Sequence, residues 1–483
     1  MALETISQIL SPNNAPYING VNGEKRISAA ILRALYQGLV EKDGKGVDDN
    51  YVSASDAEEA TQIAVRRVLP VKMRPRQQGA SKNGASYSQN QHYVQTEEVG
   101  IEILEVLDDP ILIPRASMDR INVDLLAEQV KIFGDRWATI YNGATAASKI
   151  LATYERKSKG KEINEIEITS SDISNKLVTD KFVEGNSLLD EGDPEHGLDV
   201  FPTKTRVAVF RVSYRATLKS AGVLTLGGAN EAYAILKAAG INNEGERLED
   251  DGFVGIIDGI EVRLISNESL GHAAEFLGFP SGEFKKGGVF CGYIASSYAN
   301  ARGASTRERT KVVDEVNGQG IRLLPYIKFG AVCWYPLGNT FFVTDKSWNP
   351  FKGLKDIVTA AGKEVTFKLK SAGSRLYPVF PVSGITSVTS SAFTLSSCVA
   401  LDDWGNDHVS AVVYVATTES EGATKSLYSF LKKYGDGSVT EKGTVTLGSS
   451  TSLVSTISAG QWVNVLAIAD DGSISLTSAQ YTV

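Results

Sequence analysis

A long amphipathic segment in the first third of the chain constrains the fold most. From Asn122 to about Arg156 apolar residues recur at alternating spacings of three and four, as on one face of a helix: Leu126, Val130, Phe133, Trp137, Ile140, Tyr141 and Ala144. Asn122 is a suitable N-cap, and Gly143 is the point where such a helix can kink. At ~1.5 Å per residue the helix spans on the order of 50 Å, which predicts an elongated subunit. The pattern ends too soon for a coiled coil.

Bulk composition excludes several classes of protein. The 483 residues, 42% hydrophobic and 22% charged, are ordinary for globular domains and too many for one core. The longest apolar runs, such as Phe329 to Tyr335, fall short of the ~18 residues that a membrane helix needs. The amino terminus, MALETISQIL, lacks the cationic start of a secretory signal, so cytoplasmic synthesis is expected. A net charge of -8 argues against a general nucleic-acid binder.

No motif in the sequence carries catalytic chemistry. There is no P-loop, G-x-S-x-G, H-E-x-x-H or dinucleotide-binding glycine pattern. Three widely spaced cysteines support neither a disulfide framework nor a zinc site and are expected as buried apolar residues: Cys291, Cys333 and Cys398. His196, within DEGDPEHGLD, offers a cation site, although a solvated acidic loop is favoured. We therefore expect no enzyme activity and no catalytic, cofactor or metal site.

Residues 65–105 have the charge pattern of a projecting hairpin. The limbs RVLPVKMRP and HYVQTEEVGIEILEV flank a polar tip. Cations come first and acids return after the tip: Arg66, Arg67, Lys72, Arg74, Arg76 and Lys82, then Glu97, Glu98, Glu102 and Glu105. Because such a tip buries almost nothing in its own subunit, we expect the hairpin to lie on a neighbouring subunit and match complementary charges there. A solvated loop and a nucleic-acid arm are the alternatives.

Helices and strands are mixed through the first 350 residues without strict alternation, so the predicted class is α+β. Lys25 to Glu41 and Ile166 to Leu189 are predicted as helices, and Asp43 to Asn50 as a solvated turn. Arg206 to Phe210 is predicted as a buried strand. Asp258-Gly259 predicts a type I′ hairpin between Val254–Ile257 and Ile260–Ile265. Further strands are expected at 289–295, 320–336 and 340–343.

The composition changes after Trp348. A connector at 351–374 leads into Ser/Thr/Val/Gly-rich sequence with short alternating strands, separated by turns such as DDWGND and YGDG. Strands at such spacing predict an antiparallel β-sandwich over residues 375–483. QWVNVLAIADDGSISLTSAQYTV resembles the last two strands of fibronectin type III or immunoglobulin-like domains. Trp404 and Trp462 are candidates for a glycan platform, although a core position is more usual for a sandwich tryptophan.

The order of elements from about residue 25 to 348 resembles the major capsid protein of tailed bacteriophages. The phrases VGIIDGIEVRLISN and IKFGAVCWYP contribute to the resemblance. It implies a phage capsid-type fold with the following parts: an N-terminal arm and helix (1–64), an extended loop (65–105), a peripheral domain with the spine helix (106–214), an axial domain (215–328), a return to the peripheral domain (329–350), a linker (351–374) and the C-terminal immunoglobulin-like sandwich (375–483).

The resemblance also implies a function. The chain is expected to form hexamers and pentamers of an icosahedral head that encloses double-stranded DNA without sequence-specific binding. Assembly in the host cytoplasm, no membrane, a portal, scaffold or decoration proteins, and glycan contact by the C-terminal domain belong to the same expectation. The lysine-asparagine crosslink of some relatives is not carried over, because no partner asparagine is identifiable. The alternatives are an encapsulin-type compartment, a surface adhesin with a carbohydrate-binding module, and a hydrolase without a recognised motif.

Overall fold

The computed structural model describes most of the chain between residues 34 and 482. The described residues are 34–35, 38–48, 62–68, 96–102, 104–107, 111–114, 123–168, 177–215, 218, 253–277, 281–284, 288–304, 311–314, 320–324, 326–349, 351, 369, 385–395, 410–418, 440–446, 450–469 and 474–482. Of the helix predicted over Lys25 to Glu41, residues 34, 35 and 38 are helical, whereas residues 39–41 are not, so its predicted end is wrong. Residues 25–33 and 36–37, the hairpin tip and most of the connector lie outside the described residues. Among the described helices, none combines the length and apolar character needed to span a membrane.

Among the described residues, the first 350 contain the α-helices named below and most of the strands. The helices are α1 Val123–Ser158, α2 Leu177–Leu188 and α3 Asn267–Leu277, with 3₁₀ turns at Thr203–Thr205, Val212–Tyr214, Ser281–Phe284 and Pro336–Gly338. The strands are β1 Lys42–Asp43, β2 Gly46–Val47, β3 Gln62–Val68, β4 Thr96–Glu102, β5 Leu104–Leu107, β6 Ile111–Pro114, β7 Asn164–Glu167, β8 Arg206–Arg211, β9 Phe253–Ile257, β10 Ile260–Ile265, β11 Phe290–Ser296, β12 Asn300–Ala304, β13 Lys311–Asp314, β14 Gly320–Leu324, β15 Tyr326–Cys333 and β16 Asn339–Val343. This mixture confirms the α+β class.

A six-stranded sheet in the order β7-β16-β11-β8-β10-β9 forms the centre of the subunit. The β7–β16 and β8–β10 pairs are parallel, and the other pairs are antiparallel. The predicted hairpin is confirmed, since β9 and β10 join through Asp258 (φ 48°) and Gly259 (φ 75°), both in the left-handed region that a type I′ turn requires. All residues of β8, β11 and β16 are buried. A sheet that is buried on both faces needs other secondary-structure elements packed against each face.

Alternate residues of the sheet enter two separate cores. Val207 and Val209 pack in the core shared with α1 and α3, whereas Ala208 and Phe210 pack in the core shared with α2. On the α2 side Phe342 stacks on Phe182 with ring centroids 6.3 Å apart. Each fully buried aromatic side chain of this kind contributes about 1.5–3 kcal/mol. The result is a three-layer arrangement with the sheet in the middle.

Helix α1 confirms the predicted long helix and crosses α3 closely at Gly143. A Cβ at this position would lie 2.6 Å from the Ser269 carbonyl oxygen and 2.8 Å from the His272 Cβ. The helix continues through Gly143 as one element. Glycine is therefore needed here for the approach of α3, and the helix does not end at the residue where the sequence allows a kink.

Two sequence predictions are wrong in this region. Ile166 and Glu167 are not helical: residues Asn164–Glu167 form β7, in which Ile166 pairs with Phe342 of β16. Within the predicted range the described helix is α2, Leu177–Leu188, and residues 169–176 lie outside the described residues. Long-range pairing with β16 overrides the local pattern. The predicted solvated turn after residue 43 is instead packed on the subunit, with Val47 fully buried. Gly44 and Gly46 (φ 80° and 79°) allow this tight backbone path.

Smaller sheets extend from this centre. β12, β15 and β5 form one three-stranded sheet, β13, β14 and β6 form another, and β3 pairs with β4 in a two-stranded ribbon. The six-stranded sheet takes β7 and β8 from before residue 215, β9 to β11 from after it, and β16 from beyond residue 329. The segments predicted as peripheral, axial and return regions thus share one sheet. Their division into domains stays a prediction.

The C-terminal region forms two antiparallel sheets in the orders β17-β18-β21 and β20-β19-β22-β23. The strands are β17 Ile385–Val388, β18 Ala392–Leu395, β19 Ser410–Thr418, β20 Thr440–Thr446, β21 Thr451–Val454, β22 Trp462–Ala469 and β23 Ile474–Gln480. Both sheets contribute to one small core, built around Phe393, Val413 and Val463. This two-sheet arrangement agrees with the predicted sandwich, and its immunoglobulin-like assignment stays a prediction.

Candidate functional site: the charged hairpin and its root

The predicted projecting hairpin contains the antiparallel ribbon of β3 and β4, seven residue pairs long. The described part of the first limb is β3, residues 62–68, which begins before the predicted start at residue 65. Residues 69–75 of the predicted limb lie outside the described residues. The register sets Arg66 opposite Glu98, Arg67 opposite Glu97, and Gln62 opposite Glu102. Cationic and acidic positions expected to face a neighbouring subunit are thus also opposite each other within the ribbon. The remaining candidates, Lys72, Arg74, Arg76 and Lys82, lie outside the described residues.

The register also divides the ribbon into two faces. Because successive strand residues alternate between faces, Ile63, Val65, Val99 and Ile101 share one face of the ribbon, together with the Arg67–Glu97 pair. The other face carries Ala64 opposite Gly100 and Arg66 opposite Glu98. One face is therefore apolar next to the root, and the other has small and charged positions.

The root of the ribbon is fixed to the subunit body. One residue after β4 the chain enters β5, which pairs with β15 from Leu107 opposite Tyr326 to Leu104 opposite Phe329. Phe329 is buried, and its ring lies 4.5 Å from that of Tyr141 on α1. The ribbon thus leaves the subunit body where β5 pairs with β15, which in turn packs on α1.

The loop with His196 folds around Asp193. One carboxylate oxygen of the buried Asp193 accepts hydrogen bonds from the backbone amides of Glu195 (3.1 Å) and His196 (3.3 Å), and the other lies 2.9 Å from His196 Nδ1. Ligand atoms of the three side chains lie within 4.8 Å of one another. Glu195 accepts a hydrogen bond from Arg156 at 2.8 Å. Protein donors therefore occupy the oxygens a cation would use, and Asp193 acts as a turn-forming residue. Asp193 is buried, whereas Glu191, Pro194 and Glu195 around it are exposed, as expected for a solvated loop.

Buried charged groups join elements that are distant in sequence. Lys149 of α1, fully buried, forms an ion pair with Glu41, whose other carboxylate oxygen accepts a hydrogen bond from Tyr293 of β11. Burial lowers the pKa of the Lys149 ammonium, and the Glu41 charge opposes that shift. Near the end of α1, Glu165 of β7 accepts hydrogen bonds from Tyr154 (2.7 Å) and Lys157 (2.6 Å). Burial raises the pKa values of Glu165 and Tyr154.

Sequence reasoning missed the Glu41–Lys149 pair. A signal was present in the sequence, because Lys149 interrupts the small and apolar run ATAASKIL in the middle of the long helix. A lysine inside such a run requires a partner, since an isolated buried ammonium is very costly. Which carboxylate provides that partner depends on the packing of residues 108 positions away.

The other candidates are distributed over separate strands. Cys291 is buried in β11, as predicted, whereas Cys333 of β15 is only partly buried, and both are free thiols. Trp462 begins β22 and is half-buried, opposite Gln480 of β23. Cys398 and Trp404 lie outside the described residues. The glycan platform stays a prediction.

No protein-family model matches the chain, and no curated protein matches its sequence. Solved structures do show similarity. The capsid of Ralstonia phage GP4 has a TM-score of 0.44 at 11% identity, over 64% of this chain and 89% of that one. The capsid of Cyanophage P-SCSP1u has 0.38 at 13%, over 62% and 86%. A virus-like particle from Pyrococcus furiosus has 0.34 at 9%, over 67% and 100%. The chain is similar in fold to these shell proteins.

Proposed function

We propose that this chain is the structural subunit of a closed protein shell, the major capsid protein of a tailed bacteriophage. The observation that carries the proposal is the β3–β4 ribbon with its root on the subunit body. Within the described part of the chain the ribbon forms its own two-stranded sheet. Near its root β4 also contacts β15 of the body. A two-stranded hairpin is marginally stable in water on its own, so the rest of the ribbon needs a further surface to pack on.

The charge and apolar pattern of the ribbon fits a second copy of this chain as that surface. The face with Ile63, Val65, Val99 and Ile101 supplies apolar area, and the basic and acidic positions around it supply orientation. Identical subunits with such arms, placed around a closed symmetry, gain many weak contacts at once. The root at Phe329 and Tyr141 joins the ribbon to the subunit body.

The finer parts of the proposal concern the assembled particle. Hexamers and pentamers of this chain form an icosahedral head, assembled in the host cytoplasm, that encloses double-stranded DNA without reading its sequence. A portal, and scaffold or decoration proteins, complete the particle. The C-terminal two-sheet region decorates the shell and contacts glycans. The subunit performs no catalysis, and its clustered acids and cations serve to join secondary-structure elements.

Negative-stain microscopy and light scattering of the expressed protein test the proposal. The unaltered chain is expected to form closed shells or hexamers. Replacing residues 69–95 with an Asn-Gly turn is expected to abolish assembly, while thermal unfolding of the subunit changes by only a few degrees. A control that keeps the length of the tip and replaces Lys72, Arg74, Arg76 and Lys82 with serine separates the effect of charge from that of reach. A chain that stays a small monomer at high concentration, or shells that form without the tip, would contradict the proposal.

A further inference from the structure

Residues 38–48, called the strap below, lie across the body of the subunit. The Asn142 side chain of α1 accepts a hydrogen bond from the Val40 amide and donates one to the Gly38 carbonyl, both at 3.0 Å. Farther along, the Asp48 amide donates to the Asn300 carbonyl, and its carbonyl accepts from the Arg302 amide, both at 2.9 Å. The strap thus bridges α1 and β12, with Asp48 forming a parallel bridge to Ala301 of that strand.

Glu41 is the central contact of the strap. Its carboxylate pairs with Lys149 of α1 and accepts the Tyr293 hydroxyl of β11, and its backbone carbonyl accepts a hydrogen bond from Arg302 at 3.2 Å. Lys149, Tyr293 and Arg302 are each at most 1% exposed. Two cations from different elements therefore face a single residue of the strap.

The surface under the strap is held together by contacts of its own. Asn300 bonds the Ser296 carbonyl and Asn339 at 2.8 Å each. The Arg302 guanidinium lies 4.8 Å from the Tyr141 ring centre, and the Tyr293 ring lies 5.8 Å from that of Phe341. Removing the strap leaves these contacts in place and gives water access to the polar groups under it.

The strap contributes three buried apolar residues, Leu39, Val40 and Val47, of which Leu39 and Val40 pack in the core shared with α1. Its other contacts with the body named above are polar. Its strands β1 and β2 pair with each other and add no strand to the six-stranded sheet. Segments with few apolar contacts open at lower free energy than the core around them.

We propose that the strap is a latch with the Glu41–Lys149 pair as its catch. It opens as one unit while α1 and the six-stranded sheet stay folded. Closed, it covers the polar groups of α1, β11 and β12 beneath it. Open, it frees residues 38–48 and hydrates Lys149 and Arg302, so that neither cation is left in a dry interior. This inference concerns the single subunit and does not depend on shell formation.

Native-state hydrogen exchange of the full chain, read by mass spectrometry over a range of denaturant, tests the latch directly. Amides of residues 38–48 are expected to exchange through an opening that needs less denaturant than the opening of residues 290–296 or 141–154. If the amides of all three segments exchange through openings with the same denaturant dependence, the strap does not open separately and the proposal is wrong. This measurement requires no variant.

The Glu41→Gln variant tests whether the Glu41–Lys149 pair holds the strap closed. Losing one partner of a buried ion pair is expected to speed strap exchange on the order of 100-fold, while residues 290–296 change only a few-fold. Glu165→Gln is the matched control, because it breaks a pair with Lys157 on the same helix away from the strap, and it should leave strap exchange unchanged. Replacing Glu41 and Lys149 together with methionine should restore protection to within about tenfold. Unchanged strap protection in Glu41→Gln would contradict the role of the pair.

Discussion

The six-stranded sheet and the β3–β4 ribbon cover their faces in different ways. In the sheet, β8, β11 and β16 are buried on both faces by helices of the same chain. In the ribbon, β3 pairs with β4 in a two-stranded sheet, and one face carries Ile63, Val65, Val99 and Ile101. Substitutions in the sheet should therefore change the stability of the subunit, and substitutions in the ribbon should change its association. The comparison therefore predicts that folding and association depend on separate parts of the molecule.

The strongest test of the sheet is Phe342→Ala. Phe342 is fully buried, with its ring 5.2 Å from Phe210 and 6.3 Å from Phe182, and the cavity should lower the free energy of unfolding by about 3–5 kcal/mol. Urea unfolding followed by circular dichroism measures the change. Val183→Ala, on the exposed side of α2, is the control and should stay within about 0.5 kcal/mol. Equal effects of the two substitutions would remove the distinction between core and surface.

Alkaline pH should lower the free energy of unfolding of the subunit through the buried phenols of Tyr154 on α1 and Tyr293 on β11. Burial raises the pKa values of Tyr154 and Tyr293 above the unfolded value of about 10, so their stabilisation is complete below that pH and is lost as pH rises toward the folded values. Each phenol contributes a loss of about 1.4 kcal/mol per pH unit within that window. Lys149 acts in the opposite direction, because burial lowers its pKa and stability then rises with pH below about 10.5.

Unfolding free energies at pH 8, 9, 10 and 11 measure this dependence. Tyr154→Phe should remove its share of the alkaline loss, and Tyr298→Phe, at a half-exposed position, should leave the slope as it is. Parallel curves for the unaltered chain and Tyr154→Phe would show that the phenol does not contribute.

A smaller change in the free energy of unfolding is expected where α1 and α3 cross. Gly143→Ala forces a Cβ to within 2.6 Å of the Ser269 carbonyl, and the shift of α3 should cost about 1–3 kcal/mol. Gly271→Ala, also in a helix but with no atom within 4 Å of the new Cβ, should stabilise by about 0.5–1 kcal/mol. Thermal unfolding of both variants gives the comparison. The same sign for both would mean that helix propensity, and not the crossing, dominates.

The smallest effect on the subunit is expected in the ribbon. Arg66→Glu sets two acids opposite each other and should weaken the ribbon by about 0.2–1 kcal/mol, with no measurable change in unfolding of the body. The double variant Arg66→Glu with Glu98→Arg should restore the pairing. Sedimentation at a fixed concentration then reports the assembled fraction. If Arg66→Glu lowers the unfolding temperature as Phe342→Ala does, the ribbon belongs to the core after all.

Much of the fold could be predicted because its signals are local. The three-four spacing on α1 reflects one face of one helix, and Asp258-Gly259 tolerates positive φ wherever it occurs. β7 was mistaken for a helix because its sequence, NEIE, is mostly polar, and its strand conformation comes from pairing with β16 far along the chain.

Part of the candidate site could also be predicted from the sequence. The basic and acidic runs of residues 65–105 predict a charged hairpin, but the pairing of Arg66 with Glu98 requires the register of two strands separated by a 27-residue segment. The first part of the strap was predicted as the end of a helix that runs to Glu41, and the part from Asp43 as a solvated turn because DGKGVD is polar and glycine-rich. Its burial follows from polar partners on α1, β11 and β12, none of which is near it in sequence.

The sequence by itself determined the long helix, the type I′ hairpin, the buried strands and the change to short strands after residue 375, since each depends on periodicity or turn chemistry within a few residues. Tertiary structure alone decided which strands share the six-stranded sheet, which face of it each helix covers, and that Glu41 neutralises Lys149. The physical reason is the same in each case. Strand pairing and the compensation of a buried charge are satisfied by whatever group packing brings near, and the chain between those groups can be of almost any length.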